Sequence, residues 1–307
     1  MTTDAYRPAR PAAARTLAVR GLAYHLNVWG DPDAATTQHP LLLMLHGWMD
    51  LGASFQFVVD ALAAHEGAAR CIVAPDWRGF GRSAAPGTDS YWFPDYLGDL
   101  DAIGDALSPT HPFDLLGHSM GGNVVMGYAA VRPQRVRRLV NLEGFGLPAT
   151  RPEEAGARIA QWLDELRQPQ RLSGYDSLEA VAARLRRNNP RLPEVRARWL
   201  AAQWAAPDAA GRWQLRADAA HKRVNPVLYR VDETLALWQA IRAPLLWVEG
   251  EHTDLAQWWG ARYSHAEFEQ RLAVVPQVER VRLADAGHML HHDQPEALAE
   301  ALARFLT

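Results

Sequence analysis

The stretch Phe113-Asp-Leu-Leu-Gly-His-Ser-Met-Gly-Gly122 constrains this 307-residue chain more than any other. A short apolar run passes into Gly-x-Ser-x-Gly, and a helix-forming run from Asn123 to Val131 follows. A serine on so sharp a strand-to-helix turn is held in strained backbone geometry with its hydroxyl exposed. Gly117 and Gly121, two residues either side of Ser119, let strand and helix approach where a Cβ would clash. The helix N-terminus adds the positive end of its dipole beside the hydroxyl. The spacing also arises by chance, but the flanking strand, the helix and the second small residue Gly122 argue against that origin.

Around this turn, strands and helices alternate. Thr16–Arg20 and Leu22–Trp29 read as a hairpin about Gly21. Leu41–Leu45 is continuously apolar, as a strand buried on both faces is; Cys71–Pro75 reads as another buried strand, and Phe113–Leu116 and Leu139–Leu142 as the strand of the turn and the one after it. Ala53–Ala64 and Pro94–Leu107 carry helical periodicity. The expectation is an α/β fold: a mostly parallel sheet, an antiparallel N-terminal edge hairpin, and helices on both faces. The pattern changes at Pro148. From there to Ala240 no strand is expected, and helices are predicted at 153–167, 177–187, 194–204 and 233–241. Strand character returns at Pro244–Val248 and Val278–Leu283, and a helix at 295–306 closes the chain. The division is 1–147 plus 241–307 as core, with 148–240 as a helical insertion between late strands.

An exposed serine needs a base, a carboxylate to orient that base, and an oxyanion hole. His288, in Ala286-Gly-His-Met289 after the last strand, is the expected base. His291 and His292 compete with it but read as a polar approach to the last helix. With Asp293 they cluster on one short loop, and no complementary ligand set is evident, so no metal or other cofactor is expected. For the acid, Asp254 is preferred, on the loop Glu249-Gly-Glu-His-Thr-Asp254 after a strand. Glu143, at the end of Val140-Asn-Leu-Glu143, is the alternative, and Glu249, Glu251 and His252 read as solvated loop charges. The oxyanion donors are expected from the N–H groups of Met120 and of Trp48, in His46-Gly-Trp-Met49. Asp76-Trp-Arg-Gly-Phe-Gly-Arg-Ser83 is a tight glycine loop whose Asp76 and Arg78 should bond its own backbone. It lacks the Lys-Ser/Thr pair of a phosphate loop.

Taken in order, LLLMLHGWMD, APDWRGFGRS, LLGHSMGG and ADAGHM resemble the α/β-hydrolase superfamily, and HGWMD with WRGFGRS is similar to its serine-hydrolase-like, capped members. The resemblance implies a cofactor-independent serine hydrolase, esterase-like, acting through an acyl-enzyme on a small-molecule substrate. The same residues would serve C–C bond hydrolysis, acyl transfer, or a ligand-binding homologue with little turnover. It implies that 148–240 is a cap over the site, with Gly47, His118, Phe145, Trp162 and Met289 as candidate pocket residues. Trp199, Trp204, Trp213 and Trp238 either line that pocket or pack the insertion. Ser119 stands where haloalkane dehalogenases and epoxide hydrolases carry an aspartate, which disfavours both; Glu143 matches the dehalogenases' acid position.

The remaining composition narrows partners. A net charge of −3 makes no electrostatic case for nucleic acid or an anionic membrane. The single cysteine, Cys71, excludes an intramolecular disulfide and suits a reducing compartment, so a cytoplasmic location is expected. Met1–Arg15, rich in Ala, Pro and Arg, lacks the apolar core of a secretory signal and reads as a frayed tail. Oligomeric state is not legible.

Overall fold

The computed structural model describes residues 5–66 and 70–307. β1 (Ala13–Val19) and β2 (Leu22–Trp29) form the expected hairpin. Its two turn residues, Arg20 and Gly21, both take positive φ (45° and 82°), the geometry that matches the twist of a two-residue hairpin. β3 (Leu42–Leu45), α1 (Gln56–Glu66), β4 (Ile72–Pro75), α2 (Phe93–Leu107), β5 (Phe113–His118), α3 (Met120–Val131) and β6 (Val136–Leu142) follow.

The next segment holds α4 (Ala155–Leu166), β7 (Gly174–Tyr175), α5 (Leu178–Asn188), α6 (Glu194–Trp204), β8 (Ala205–Pro207), β9 (Trp213–Leu215) and α7 (Val231–Gln239). β10 (Leu245–Gly250), α8 (Ala256–Trp259), α9 (His265–Leu272), β11 (Val278–Leu283), α10 (Leu290–Asp293) and α11 (Pro295–Phe305) complete the chain.

The main sheet has eight strands in the order β1-β2-β4-β3-β5-β6-β10-β11, parallel from β4 to β11. Successive strand residues point to opposite faces. Leu43, Leu115 and Trp247 pack on one side with Leu100 of α2 and Val125 of α3. Leu42, Leu116 and Val248 pack on the other with Val58 of α1 and Leu302 of α11. Both faces are covered, which is why β3 and β4 read as unbroken apolar runs. Each fully buried leucine contributes about 2 kcal/mol of apolar transfer.

Three expectations need correction. Residues 148–240 are not free of strands: β7, β9 and β8 form a small antiparallel sheet. Strands of two or three residues are too short to display alternation. α8 and α9, between β10 and β11, were not anticipated. The N-terminal tail is not frayed over its described part, although Met1 to Asp4 lie outside the described residues. The Tyr6 hydroxyl and the backbone N–H groups of Ala9 and Arg10 all donate to the Asp60 carboxylate on α1.

The 148–240 segment has a core of its own, in which α5, α6 and the small sheet close over Val181, Leu200 and Leu215, with Phe57 of α1 beneath. It rests on the loops at the C-terminal ends of β3 and β4. Gly81 N–H donates to Arg216 O (2.8 Å), and Asp218 N–H to Gly79 O (2.7 Å). The His221 ring stacks between Phe80 and Tyr91, with centroids 3.7 and 3.5 Å away. Its Nε2 meets Arg78 O at 3.1 Å. Burial pushes this imidazole down to about 4, so it sits there neutral. No described helix is long and apolar enough to cross a membrane.

Candidate active site

Ser119 occupies the turn between β5 and α3 at φ 53° and ψ −113°, conformations an L-residue rarely adopts. Tight packing holds it there. A Cβ on Gly117 would lie 2.2 Å from Gly121 O, and one on Gly121 would lie 2.2 Å from Leu45 O. Ser119 N–H is itself bonded to Leu142 O (2.8 Å), which ties the turn to the end of β6. That register matters: His118 pairs with Leu142, so the residue after Leu142 emerges level with Ser119.

That residue is Glu143. It too sits at positive φ (56°) and is 1% exposed. Its Oε1 accepts from Gly250 N–H and from the Thr253 hydroxyl, both at 2.6 Å. Its Oε2 lies 2.7 Å from His288 Nδ1, and His288 Nε2 lies 3.0 Å from Ser119 Oγ. Ser119, His288 and Glu143 thus form one continuous hydrogen-bonded chain. Nδ1–H donates to the carboxylate, which leaves the Nε2 lone pair to face the hydroxyl.

The preferred acid, Asp254, is corrected by this geometry. Its carboxylate is exposed and caps Ala256 N–H at 2.9 Å, at the start of α8. In the long loop after β10, Thr253 is the residue that reaches inward, and it bonds Glu143. Glu249 pairs with His265 instead, and Glu251 accepts from Asp285 N–H.

The loop after β3 passes directly over the serine. A Cβ on Gly47 would come 3.1 Å from Ser119 Cβ. His46 staples this loop from below: Trp77 N–H donates to its Nε2 (2.9 Å), and its Nδ1–H donates to Gly47 O (2.7 Å). Burial lowers its pKa, keeping it neutral. Trp48 is 53% exposed, and its indole N–H reaches across to His221 O of the inserted segment (3.2 Å). In the glycine loop, Asp76 accepts from Gly52 and Arg82 N–H, as expected of it. Arg78 does not bond its own loop but clasps Asp99 of α2 with two bonds of 2.5 and 2.6 Å.

Two of the pocket candidates lie elsewhere. His118 is buried under the turn, its Nε2 2.8 Å from His288 O, and burial beside His291 and His288 pushes its pKa well down. Phe145 is buried against Trp247 and Phe268 in the core. Strand alternation turns His118 away from the side on which Ser119 emerges, and the backbone turn beyond β6 sends Phe145 inward. Met289 is half-buried beside His288, and Trp162 bonds Ser90 with its indole N–H (2.9 Å). Trp199, Trp204 and Trp213 pack on the inserted segment's core, and Trp238 is buried in the main one. Trp258 of α8 was missed. Its ring meets His288 edge-on, centroids 4.5 Å apart, and it is 41% exposed. The only signal was an aromatic pair in the loop after β10.

A model of the family described as alpha/beta hydrolase fold matches residues 40–295. A serine hydrolase-like protein of Danio rerio is 24% identical over 290 residues, covering 91% of this chain and 83% of that protein. A 3-hydroxybutyrate-oligomer hydrolase of Cupriavidus necator is 29% identical over 303 residues, covering 91% of each. Among solved structures, the thioesterase domain from the curacin biosynthetic pathway superposes with a TM-score of 0.81 at 26% identity, over 95% of this chain and 99% of that one. The chain belongs to the α/β-hydrolase fold family.

Proposed function

We propose that this protein is a serine hydrolase acting on an ester or related carbonyl through an acyl-enzyme. The observation that carries the reading is the chain Glu143–His288–Ser119 with contacts of 2.7 and 3.0 Å. In this reading His288 Nε2 takes the Ser119 proton as Oγ attacks the carbonyl carbon. It returns that proton to the leaving group, then activates the water that hydrolyses the acyl-enzyme. Glu143 holds the tautomer and stabilises the imidazolium.

The N–H groups of Met120 and Trp48 are the proposed oxyanion donors. Met120 is the first residue of α3, where an N–H has no intrahelical acceptor. The Gly47 carbonyl is turned to His46. In a trans peptide the N–H of the next residue, Trp48, then points the opposite way. Residues 148–240 are read as a cap, tethered over the site through Trp48, Phe80 and Tyr91. The names of the related hydrolase and thioesterase agree with acyl transfer to water. No metal or cofactor is part of this chemistry, and a small molecule is the substrate.

A fluorophosphonate probe should label Ser119 irreversibly, and p-nitrophenyl esters of graded chain length should be turned over. Ser119→Ala should abolish both. Turnover surviving in Ser119→Ala would overturn the mechanism. Wild-type protein that binds acyl compounds but is neither labelled nor active would leave a ligand-binding homologue instead.

A further inference from the structure

Behind the nucleophile lies a second cluster that the proposed chemistry does not use. Asp50 follows the His46–Met49 loop, and His291 and His292 lie in α10, directly after the His288 loop. Their relative exposures are 5%, 0% and 3%. One ligand atom from each, a carboxylate oxygen and two imidazole nitrogens, lies within 4.8 Å of the others. On sequence, His291 and His292 had no complementary donor. The fold supplies it from more than two hundred residues upstream.

The hydrogen-bonding of these groups is incomplete in a directed way. Asp50 Oδ1 accepts from Leu51 N–H (2.8 Å) and from the Ser54 hydroxyl. Asp50 Oδ2 has no hydrogen-bond partner among the described residues, nor do His291 Nδ1 and Nε2 or His292 Nε2. The Oδ2–Nε2 separation of Asp50 and His291 is 3.6 Å, too long for a hydrogen bond. A buried polar atom without a partner costs about 1–3 kcal/mol, so several converging on one point call for a shared partner.

A divalent cation meets the need that a single proton does not. It accepts lone pairs from three donors at once and offsets the buried carboxylate charge. Metal–nitrogen and metal–oxygen bonds of about 2.0 Å in tetrahedral geometry put donors about 3.3 Å apart. The 3.6 Å pair is near that spacing. The wider separations reach 4.8 Å at most, within about 1.5 Å of it. Two imidazoles and a carboxylate suit Zn²⁺ and neighbouring transition ions rather than Mg²⁺ or Ca²⁺.

We propose that Asp50, His291 and His292 form a binding site for a borderline divalent transition ion such as Zn²⁺. Bound there, the ion ties the loop over Ser119 to the turn that carries His288. His291 touches the same machinery through His118, whose ring lies 4.4 Å away and whose Nε2 meets His288 O. The part-buried group Glu249–His265–Glu269 and the exposed group Glu251–His252–Asp285 are the surface competitors for such an ion.

The test uses full-length protein freed of metal with a chelator and titrated with Zn²⁺, and separately with Co²⁺. The expected result is one equivalent bound per chain and a rise in Tm of about 5 °C at a free concentration 100 times Kd. Co²⁺ should give the visible absorption of a four-coordinate site. His292→Gln and His291→Gln should each lose the bound equivalent, the Tm rise and the cobalt absorption, whereas His265→Gln keeps all three. Apo-state melting curves show that each variant is folded, and the wild-type titration stands alone where one is not. No binding by wild type at about 100 µM free metal overturns the proposal. So does binding that survives His291→Gln and His292→Gln and disappears in His265→Gln.

Discussion

Replacing Glu143 by Gln isolates the carboxylate at almost constant shape, and the structure dictates how the amide must sit. At the Oε1 position two donors, Gly250 N–H and the Thr253 hydroxyl, each at 2.6 Å, demand an acceptor. The amide oxygen therefore takes that position, and the NH₂ takes the other, 2.7 Å from His288 Nδ1. Facing a donor, Nδ1 must give up its hydrogen and accept, and the neutral ring then carries its proton on Nε2. Nε2 then points a hydrogen at Ser119 Oγ, 3.0 Å away, and cannot take the serine proton. Loss of the correct tautomer with geometry intact costs about 10⁴ in kcat, or about 5 kcal/mol of transition-state stabilisation. Asp254→Asn, by contrast, keeps an oxygen to cap Ala256 and should leave kcat within about twofold of wild type. Steady-state hydrolysis of p-nitrophenyl esters at neutral pH measures both, with circular dichroism and Tm showing that each variant is folded. Glu143→Gln retaining a tenth or more of wild-type kcat would refute the tautomer reasoning. So would a thousandfold fall in Asp254→Asn.

Other substitutions probe the scaffold. Gly121→Ala should destabilise by about 3 kcal/mol or more, because its Cβ would meet backbone atoms, Leu45 O at 2.2 Å, rather than a movable side chain; Tm and soluble yield report it. Acidification should loosen the seat of the inserted segment. His221 binds its proton more readily unfolded, near its ordinary 6.5, than folded, near 4, so its contribution is intact above pH 6.5 and is lost as pH falls toward 4. The loss is up to about 3 kcal/mol. Urea unfolding at pH 7 and 4.5 should show a shallower decline in His221→Gln than in wild type; equal slopes would count against it. Asp60→Ala removes the acceptor for Tyr6, Ala9 and Arg10. Limited proteolysis within the first twelve residues should accelerate, with a stability loss of about 1–3 kcal/mol.

The elements that position the site were readable because their cause is local. The steric demand for Gly117 and Gly121 around Ser119 is written into a five-residue pattern, and β3 and β4 at the centre of the sheet are apolar on both faces. His288 was readable for a related reason: a Gly-His pair between the last strand and the last helix falls at the C-terminal edge of the sheet. The choice of acid was not readable. Asp254 and Glu143 each stand just past a strand, and both are compatible with the chain order. What separates them is lateral register. β6 lies directly beside β5, so Glu143 emerges beside Ser119, while the loop after β10 turns Thr253 inward and Asp254 to solvent.

The same distinction runs through the rest of the molecule. His118 and Phe145 sit one and two residues from site residues, yet alternation and backbone turns send both inward, away from any ligand. Trp258, on a four-residue helix with no periodicity, reaches His288 only because the loop after β10 folds back. Asp50 meets His291 and His292 across more than two hundred residues of the chain. The fold family, the serine and the histidine were legible in the order of amino acids, since each depends on short-range sterics and on the order of strands. Which carboxylate backs the histidine, which aromatics stand near it, and which buried donors converge behind it emerge only once the chain is folded. Those choices rest on strand register and on loop paths that bring residues distant in sequence within a few ångströms.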